Sequence, residues 1–293
     1  MTAPPGPLEP TSTQTISGLY TEAFRPAGTP KGVVLVTHGY AEHCGRYREV
    51  AHVLVDAGWA ALTYDVRGHG KSPGDRGYID RFEIYLDDLA AMHTAARGLA
   101  EGAPLVLLGH SHGSLITLRA LAGERPPAAA AAIVSSPFLA LHRALPVHQR
   151  ALAWVGSKLA PRLAQPNGLR VEDLTSDPQK QAERLADKAC FEIATARWFT
   201  EATAAQAYVL AHADRIALPT TWLVGGDDKI TSPARSRLVA SKVANATYHD
   251  LAGMQHEVFN EVDRGKVFSE LAAALAAAVP SARGAVDTAP GAP

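Results

Sequence analysis

The residues with most chemical promise are Gly109-His110-Ser111-His112-Gly113, which stand where the apolar run Pro104 to Leu108 meets a helix-length segment beginning near Ser114. Gly-x-Ser-x-Gly at a strand-to-helix turn is the pattern of a presented nucleophile. The turn is strained and projects the serine hydroxyl, and Gly109 and Gly113, two residues to either side, avoid Cβ collisions where strand and helix pass closely. The same five residues also occur in ordinary turns, so the rest of the chain must supply partners for Ser111.

A serine hydroxyl is a poor nucleophile at neutral pH. It needs an adjacent imidazole as base, and that imidazole needs a carboxylate to fix its tautomer and orientation. After an elbow of this kind the acid is expected beyond a later strand and the histidine beyond the last one. Of twelve histidines, only His249 and His256 follow every candidate acid. His249 lies inside the strand-like Ala246-Thr247-Tyr248-His249-Asp250 and reads as structural, whereas His256 follows the loop Ala252-Gly253-Met254-Gln255 and is the expected base. Val224-Gly225-Gly226-Asp227-Asp228-Lys229 closes a strand with two adjacent carboxylates, of which one can face the histidine. The loop one strand earlier, Ser135 to Leu139, holds none, so Asp227 and Asp228 both remain open at this point. Charge developing on a carbonyl oxygen needs backbone donors, and two are expected: the amide of His112 and that of Tyr40, in a turn kept tight by Gly39.

These residues need a scaffold that brings strand ends together. Short apolar runs alternate with helix-length segments, the pattern of an α/β protein with a mostly parallel sheet. Strands are predicted at Gly32 to Thr37, Ala60 to Tyr64, Pro104 to Leu108, Ala131 to Ser135, Thr220 to Val224 and near Ala246 to His249. Helices are predicted over Tyr47 to Ala57, Ile79 to Leu99 and Ser114 to Leu121. From Pro137 to about Gln206 no clear strand is seen, only helical pieces at Leu145 to Leu159, Pro178 to Lys188 and Phe191 to Ala205. The expected organisation is a disordered lead at 1–12, a core at 13–136, a helical lid insertion at 137–206, a second part of the core at 207–279 and a flexible tail at 280–293. An insertion just after a strand sits at the carboxyl edge of the sheet, where ligands bind in open α/β folds.

With 293 residues, 47% hydrophobic and 19% charged, the chain has ample material for a buried core. Its 28 Lys and Arg against 29 Asp and Glu give no field for gathering phosphate backbones, so nucleic acid is not expected as a partner. No glycine-rich phosphate loop follows any strand, and no cofactor is expected. Cys44 and Cys190 make neither a disulfide framework nor a structural zinc site, and no metal is expected. No signal-like or membrane-spanning stretch is seen, so the expected location is cytoplasmic, with possible peripheral contact to a membrane.

The same residues carry a family resemblance. His38-Gly39-Tyr40-Ala41-Glu42-His43-Cys44-Gly45-Arg46-Tyr47 resembles the His-Gly-x-x-Glu-His-x-x-Arg-Tyr signature of the monoacylglycerol lipase and lysophospholipase family of α/β-hydrolases. Asp65-Val66-Arg67-Gly68-His69-Gly70-Lys71-Ser72 is similar to that family's Asp-x-Arg-Gly-His-Gly-x-Ser segment, and Gly109 to Gly113 to its Gly-His-Ser-Met-Gly elbow. The resemblance spans roughly Phe24 to Leu275 and aligns the family's acid segment so as to point to Asp228, and its histidine segment to His256. It implies the α/β-hydrolase fold with a helical lid and a Ser111-His256-Asp228 triad. It also implies that His43, Arg46, Arg67 and His69 brace the loops behind the oxyanion hole. His112 stands where methionine is usual, and Ser114 where a second glycine is common. The implied function is hydrolysis of monoacylglycerol or a similar single-chain lipid ester through an acyl-enzyme. A short-chain carboxylesterase, a lysophospholipase, a thioesterase, a serine peptidase or an acyltransferase would use the same parts. A non-catalytic protein holding an apolar ligand would be marked by a broken triad, and halogen or epoxide chemistry would want Asp in place of Ser111. The lid's Leu145, Val147, Leu152, Trp154, Val155 and Leu159 form a partly amphipathic arrangement suited either to packing on the core or to transient contact with a lipid surface.

Overall fold

The structure is a computed structural model that describes residues 4–279; the expected C-terminal tail at 280–293 lies outside the described residues. In chain order the strands are β1 (Ser12–Ile16), β2 (Leu19–Phe24), β3 (Val33–Thr37), β4 (Ala60–Tyr64), β5 (Leu105–His110), β6 (Ala131–Ser135), β7 (Ala164–Pro166), β8 (Ile193–Thr195), β9 (Thr220–Gly225) and β10 (Ala246–Leu251). The helices are α1 (Arg48–Asp56), α2 (Glu83–Arg97), α3 (His112–Leu121), α4 (Val147–Leu159), α5 (Pro178–Ala186), α6 (Ala196–His212), α7 (Pro233–Ala240) and α8 (Arg264–Ala278).

Eight strands form one sheet in the order β1-β2-β4-β3-β5-β6-β9-β10. β1 with β2 and β2 with β4 are antiparallel; every other neighbouring pair is parallel. This is the α/β-hydrolase arrangement that the resemblance implied. β3, β4, β5 and β6 are buried at every position, because strands covered on both faces alternate between two apolar layers. Leu35, Leu62, Leu107, Val134 and Trp222 pack on one side with Leu89 and Met92 of α2 and Leu115 and Leu118 of α3. Val34, Val36, Leu108, Ile133 and Leu223 pack on the other with Val50 and Leu54 of α1 and Leu271 and Leu275 of α8.

Several elements lie outside those predicted from the sequence. β1 and β2 form an antiparallel hairpin through Ser17 and Gly18, both at positive φ. The lead-in expected to be disordered is held in its described part: Leu8 donates its amide to Arg48 O at 3.1 Å, and Glu9 pairs with Arg48 at 2.9 Å. Strands also occur where none was expected, since β7 and β8 pair antiparallel within the 137–206 segment. The boundary expected after Gln206 falls inside α6, which continues to His212 because Ala205 and Val209 are buried in the same layer as α3. α7 and α8 are two further helices beyond those predicted; their Val239 and Leu271 are core residues.

Candidate active site

Parallel strands end on one edge, and there the backbone is most strained. Of four described non-glycine residues at positive φ, Ala41, Ser111 and Ser136 follow β3, β5 and β6. Ser111 has φ 49° and ψ −111° between the last residue of β5 and the first of α3. Its backbone is clamped: the amide donates to Ser135 O at 2.9 Å, and the carbonyl accepts from Phe138 N at 3.0 Å and Leu115 N at 3.1 Å. The flanking glycines are required by contact. A Cβ on Gly113 would lie 2.0 Å from Thr37 O, and one on Gly109 would lie 2.7 Å from Gly113 O. Ser114, in place of a glycine, turns its hydroxyl back to Gly109 O at 2.7 Å, which ties helix to strand.

Asp228 and His256 meet on the neighbouring loops. His256 Nδ1 lies 2.7 Å from Asp228 Oδ2, with both side chains buried. The carboxylate is fixed by Ile230 N at 2.8 Å and Thr231 N at 2.9 Å on one oxygen and by Thr231 Oγ1 at 2.7 Å on the other. Asp227 is exposed, its amide bonded to Met254 O at 2.9 Å, and it takes no part in the pair. Burial pushes the His256 pKa down, but the charge and hydrogen bond of Asp228 override it, and the net shift is upward. Burial raises the Asp228 carboxyl, and the His256 charge with the hydrogen bonds overrides that too, so it stays below the usual carboxylate range. His249 lies in β10 with Nδ1 3.4 Å from Glu270.

The loop after β3 is shaped by Glu42. Its Oε1 accepts from Gly39 N at 2.6 Å and from Tyr47 Oη at 2.7 Å, and a Cβ on Gly39 would lie 2.8 Å from that oxygen. His38 spans the turn: Val66 N donates to its Nε2 at 2.9 Å, so Nδ1 carries the proton given to Gly39 O at 2.7 Å. Among the described residues the amides of Tyr40 and His112 have no hydrogen-bond acceptor, which leaves two donors beside Ser111. The imidazole of His112 points away, buried among Tyr85, Trp198, Tyr40 and Phe82 with neither ring nitrogen bonded. Burial and the nearby His38 push it down to about 3, so it is neutral.

The residues implied to brace the site have these partners. Arg46 reaches Glu257 at 2.7 Å and Glu42 at 3.2 Å, Arg67 pairs with Asp88 at 2.6 Å, and His69 Nδ1 bonds to Arg67 O at 3.0 Å. His43 Nε2 lies 2.7 Å from Asp187, and Nδ1 accepts from Gly45 N at 3.2 Å. His43, Asp187 and Cys190 lie close enough to hold a metal ion. Both His43 nitrogens are already engaged, however, and burial pushes the Cys190 thiol up to about 12. Cys44 is buried, and burial also holds its thiol protonated.

Ser111, His256 and Tyr40 open into a cavity of about 610 Å³. Its lining is mostly apolar, with Leu145, Leu152, Leu163, Leu169 and Phe199 among it, and Gln149, Gln165 and Asn167 interspersed. Arg184 and Glu257 line it too, and sequence reasoning assigned neither of them a role. Tertiary packing alone brings them there, since Arg184 sits on a helix, PQKQAERLA, that reads as solvent-facing.

The family model described as serine aminopeptidase, S33 (Hydrolase_4), matches residues 28–263. The chain is 30% identical over 253 residues to a monoacylglycerol lipase of Mycolicibacterium smegmatis, covering 85% of this chain and 90% of that one. It is 29% identical over 250 residues to phospholipase YtpA of Bacillus subtilis, covering 83% and 94%. The solved structure of the Paleococcus ferrophilus monoacylglycerol lipase superposes with a TM-score of 0.80 at 30% identity, over 89% of this chain and 99% of that one.

Proposed function

Because the chain belongs to the serine aminopeptidase S33 (Hydrolase_4) family and is a carboxylic ester hydrolase, we propose that it cleaves monoacylglycerol or a similar single-chain lipid ester through an acyl-enzyme on Ser111. The observation that carries this reading is one apolar cavity onto which open Ser111, held at φ 49°, and His256, whose Nδ1 is 2.7 Å from Asp228. In this reading the His256–Asp228 bond leaves Nε2 as the base. It takes the Ser111 proton as the hydroxyl attacks the ester carbonyl. The free amides of Tyr40 and His112 receive the oxyanion. His256 then gives its proton to the leaving alcohol, and water repeats the sequence on the acyl-enzyme.

The cavity supports a lipid acyl chain in preference to a peptide. A peptide substrate wants polar partners along its length, whereas most of the lining beyond Ser111 is apolar, with Gln149, Gln165, Asn167 and Thr195 interspersed. Segment 137–206 serves in this reading as the lid. Val147, Leu152, Trp154, Leu159 and Leu163 are each at least 60% exposed there, a patch suited to transient contact with a lipid surface. Among the described residues no helix is long and apolar enough to cross a membrane.

The test is product release by wild type and Ser111→Ala on a long-chain monoacylglycerol, a lysophospholipid, a short-chain ester and an aminoacyl amide. Turnover of the long-chain single-chain lipid esters ahead of the short ester and the amide, lost in the variant, is the expected result. Turnover of the short ester alone would replace the lipid reading with a general carboxylesterase, and transfer to an added alcohol would indicate an acyltransferase. For the lid, Trp154→Ser with Leu159→Ser should weaken vesicle binding, and unchanged binding would remove the membrane contact.

A further inference from the structure

Arg184, in the last turn of α5, is 9% exposed and lines the cavity that holds Ser111 and His256. A buried guanidinium is ordinarily paired, because its charge is costly to remove from water. This one is not: among the described residues its side chain makes no hydrogen bond or salt bridge, and its Nη1 is a buried donor without a partner. The carboxylates on the same wall are committed elsewhere. Glu257 accepts from Arg46 at 2.9 and 2.7 Å and from Asn260 Nδ2 at 2.8 Å. Glu42 accepts from Gly39 N, Tyr47 and Arg46 at 2.6, 2.7 and 3.2 Å.

Position narrows what the missing acceptor is. Arg184 is close enough for its charge to contribute to holding the Glu257 carboxyl down, and Glu257 directly follows His256. The arginine therefore lines the His256 side of the cavity together with Glu257. On that side the leaving alcohol receives its proton in the function proposed above, and this inference rests on that reading.

We propose that Arg184 is a specificity residue that binds an oxyanion carried by the leaving alcohol, so that the favoured esters are single-chain acylglycerols bearing a phosphate on the glycerol. The planar fork of a guanidinium suits a phosphate through two parallel hydrogen bonds, and a neutral glycerol offers it nothing comparable. The carboxylate of a fatty-acid product shares this chemistry, and the test separates the two sources.

The experiment compares kcat/KM for 1-oleoylglycerol 3-phosphate and 1-oleoylglycerol in wild type, Arg184→Met and Arg184→Lys, with Tm recorded for each. The phosphate-to-neutral ratio should fall about tenfold to a hundredfold in Arg184→Met and recover partly in Arg184→Lys. An unmoved ratio in a folded variant overturns the proposal, as does relief of oleate inhibition without a change in the ratio, which would assign the arginine to the product. Hydrolysis of both esters with the same ratio in every variant leaves the ester-hydrolase reading standing, whereas hydrolysis of neither removes that reading. A binding arm is independent of turnover and of the variants' folding. Glycerol 3-phosphate should protect wild-type Ser111 from a fluorophosphonate at concentrations at least tenfold below those needed with glycerol, and equal protection would overturn the assignment.

Discussion

Arg46 closes a bidentate pair on Glu257, with Nη1 2.9 Å from Oε1 and Nη2 2.7 Å from Oε2, across 211 positions of sequence. The same guanidinium reaches Glu42, whose other oxygen holds the amide of Gly39. One largely buried cation thus ties the loop carrying Gly39 and Tyr40 to the loop carrying His256.

Removing that cation leaves two buried carboxylates without compensation, a loss of about 3–5 kcal/mol. Arg46→Met should lower stability to urea by that order and lower kcat about tenfold to a hundredfold through misplacement of the loops, with partial recovery in Arg46→Lys. The pH dependence has a definite sign. Burial raises the Glu257 carboxyl, but Arg46 overrides it and holds it down to about 2, so its stabilisation is complete above the ordinary glutamate pKa of about 4.3 and is lost as pH falls toward 2. Urea titrations between pH 6 and pH 3 should show that loss in wild type and a smaller one in Arg46→Met.

Asp228→Asn should reduce kcat by about 10⁴, because the amide no longer fixes the reactive tautomer of His256. Burial lowers the His256 pKa, but Asp228 lifts it above its ordinary 6.5 overall, so wild-type kcat/KM should rise with pH through a limb above that value. In Asp228→Asn the limb of the residual activity should move to lower pH. Asp227→Asn, at an exposed position, should leave kcat within about twofold.

The acid illustrates what the chain sequence could and could not reveal. Two adjacent carboxylates at Asp227 and Asp228 are equivalent by type and spacing, and only the path of the loop after β9 decides which one turns inward to meet His256. The central strands were legible because burial on both faces demands unbroken Val, Leu and Ile runs, as in Val33 to Thr37. β1 is a polar, largely exposed edge strand of Ser, Thr and Gln that satisfies its backbone through β2, and no hydrophobic period marks it. β7 is three exposed residues ending in Pro166, defined only by its partner. Arg184 was illegible for the same reason: burial of a charge on a polar helix follows from tertiary packing, which local pattern does not encode.

Gly113→Ala should abolish folding or cost about 3 kcal/mol or more, since the added Cβ would meet Thr37 O at 2.0 Å and His38 O at 2.5 Å, both of them backbone atoms with little freedom to yield. Gly265→Ala is the control: nothing lies within 4 Å of the added carbon, and in α8 alanine should be neutral or stabilise by up to about 1 kcal/mol. Thermal denaturation of both variants checks the contrast.

His112→Met should stabilise the protein by about 1–3 kcal/mol near neutral pH, because it removes two ring nitrogens that are buried without partners and keeps a similar volume. Burial holds the His112 pKa at about 3, so in wild type the unfolded state gains a proton that the folded state does not as pH falls below its ordinary 6.5. The advantage of the variant should therefore widen between pH 6.5 and pH 3, a trend that urea titration at a series of pH values would show. The amide of residue 112 survives the change, and turnover should persist.

Every step of the proposed reaction depends on Ser111 carrying the acyl group. The most direct measurement is mass spectrometry of the protein quenched with acid within milliseconds of mixing with 1-oleoylglycerol, followed by mapping of the modified peptide. Wild type should carry an oleoyl adduct on Ser111 and Ser111→Ala none, with glycerol released in a burst equal to the acylated fraction. An adduct on another residue, or ester cleavage at the wild-type rate by Ser111→Ala, would contradict this assignment.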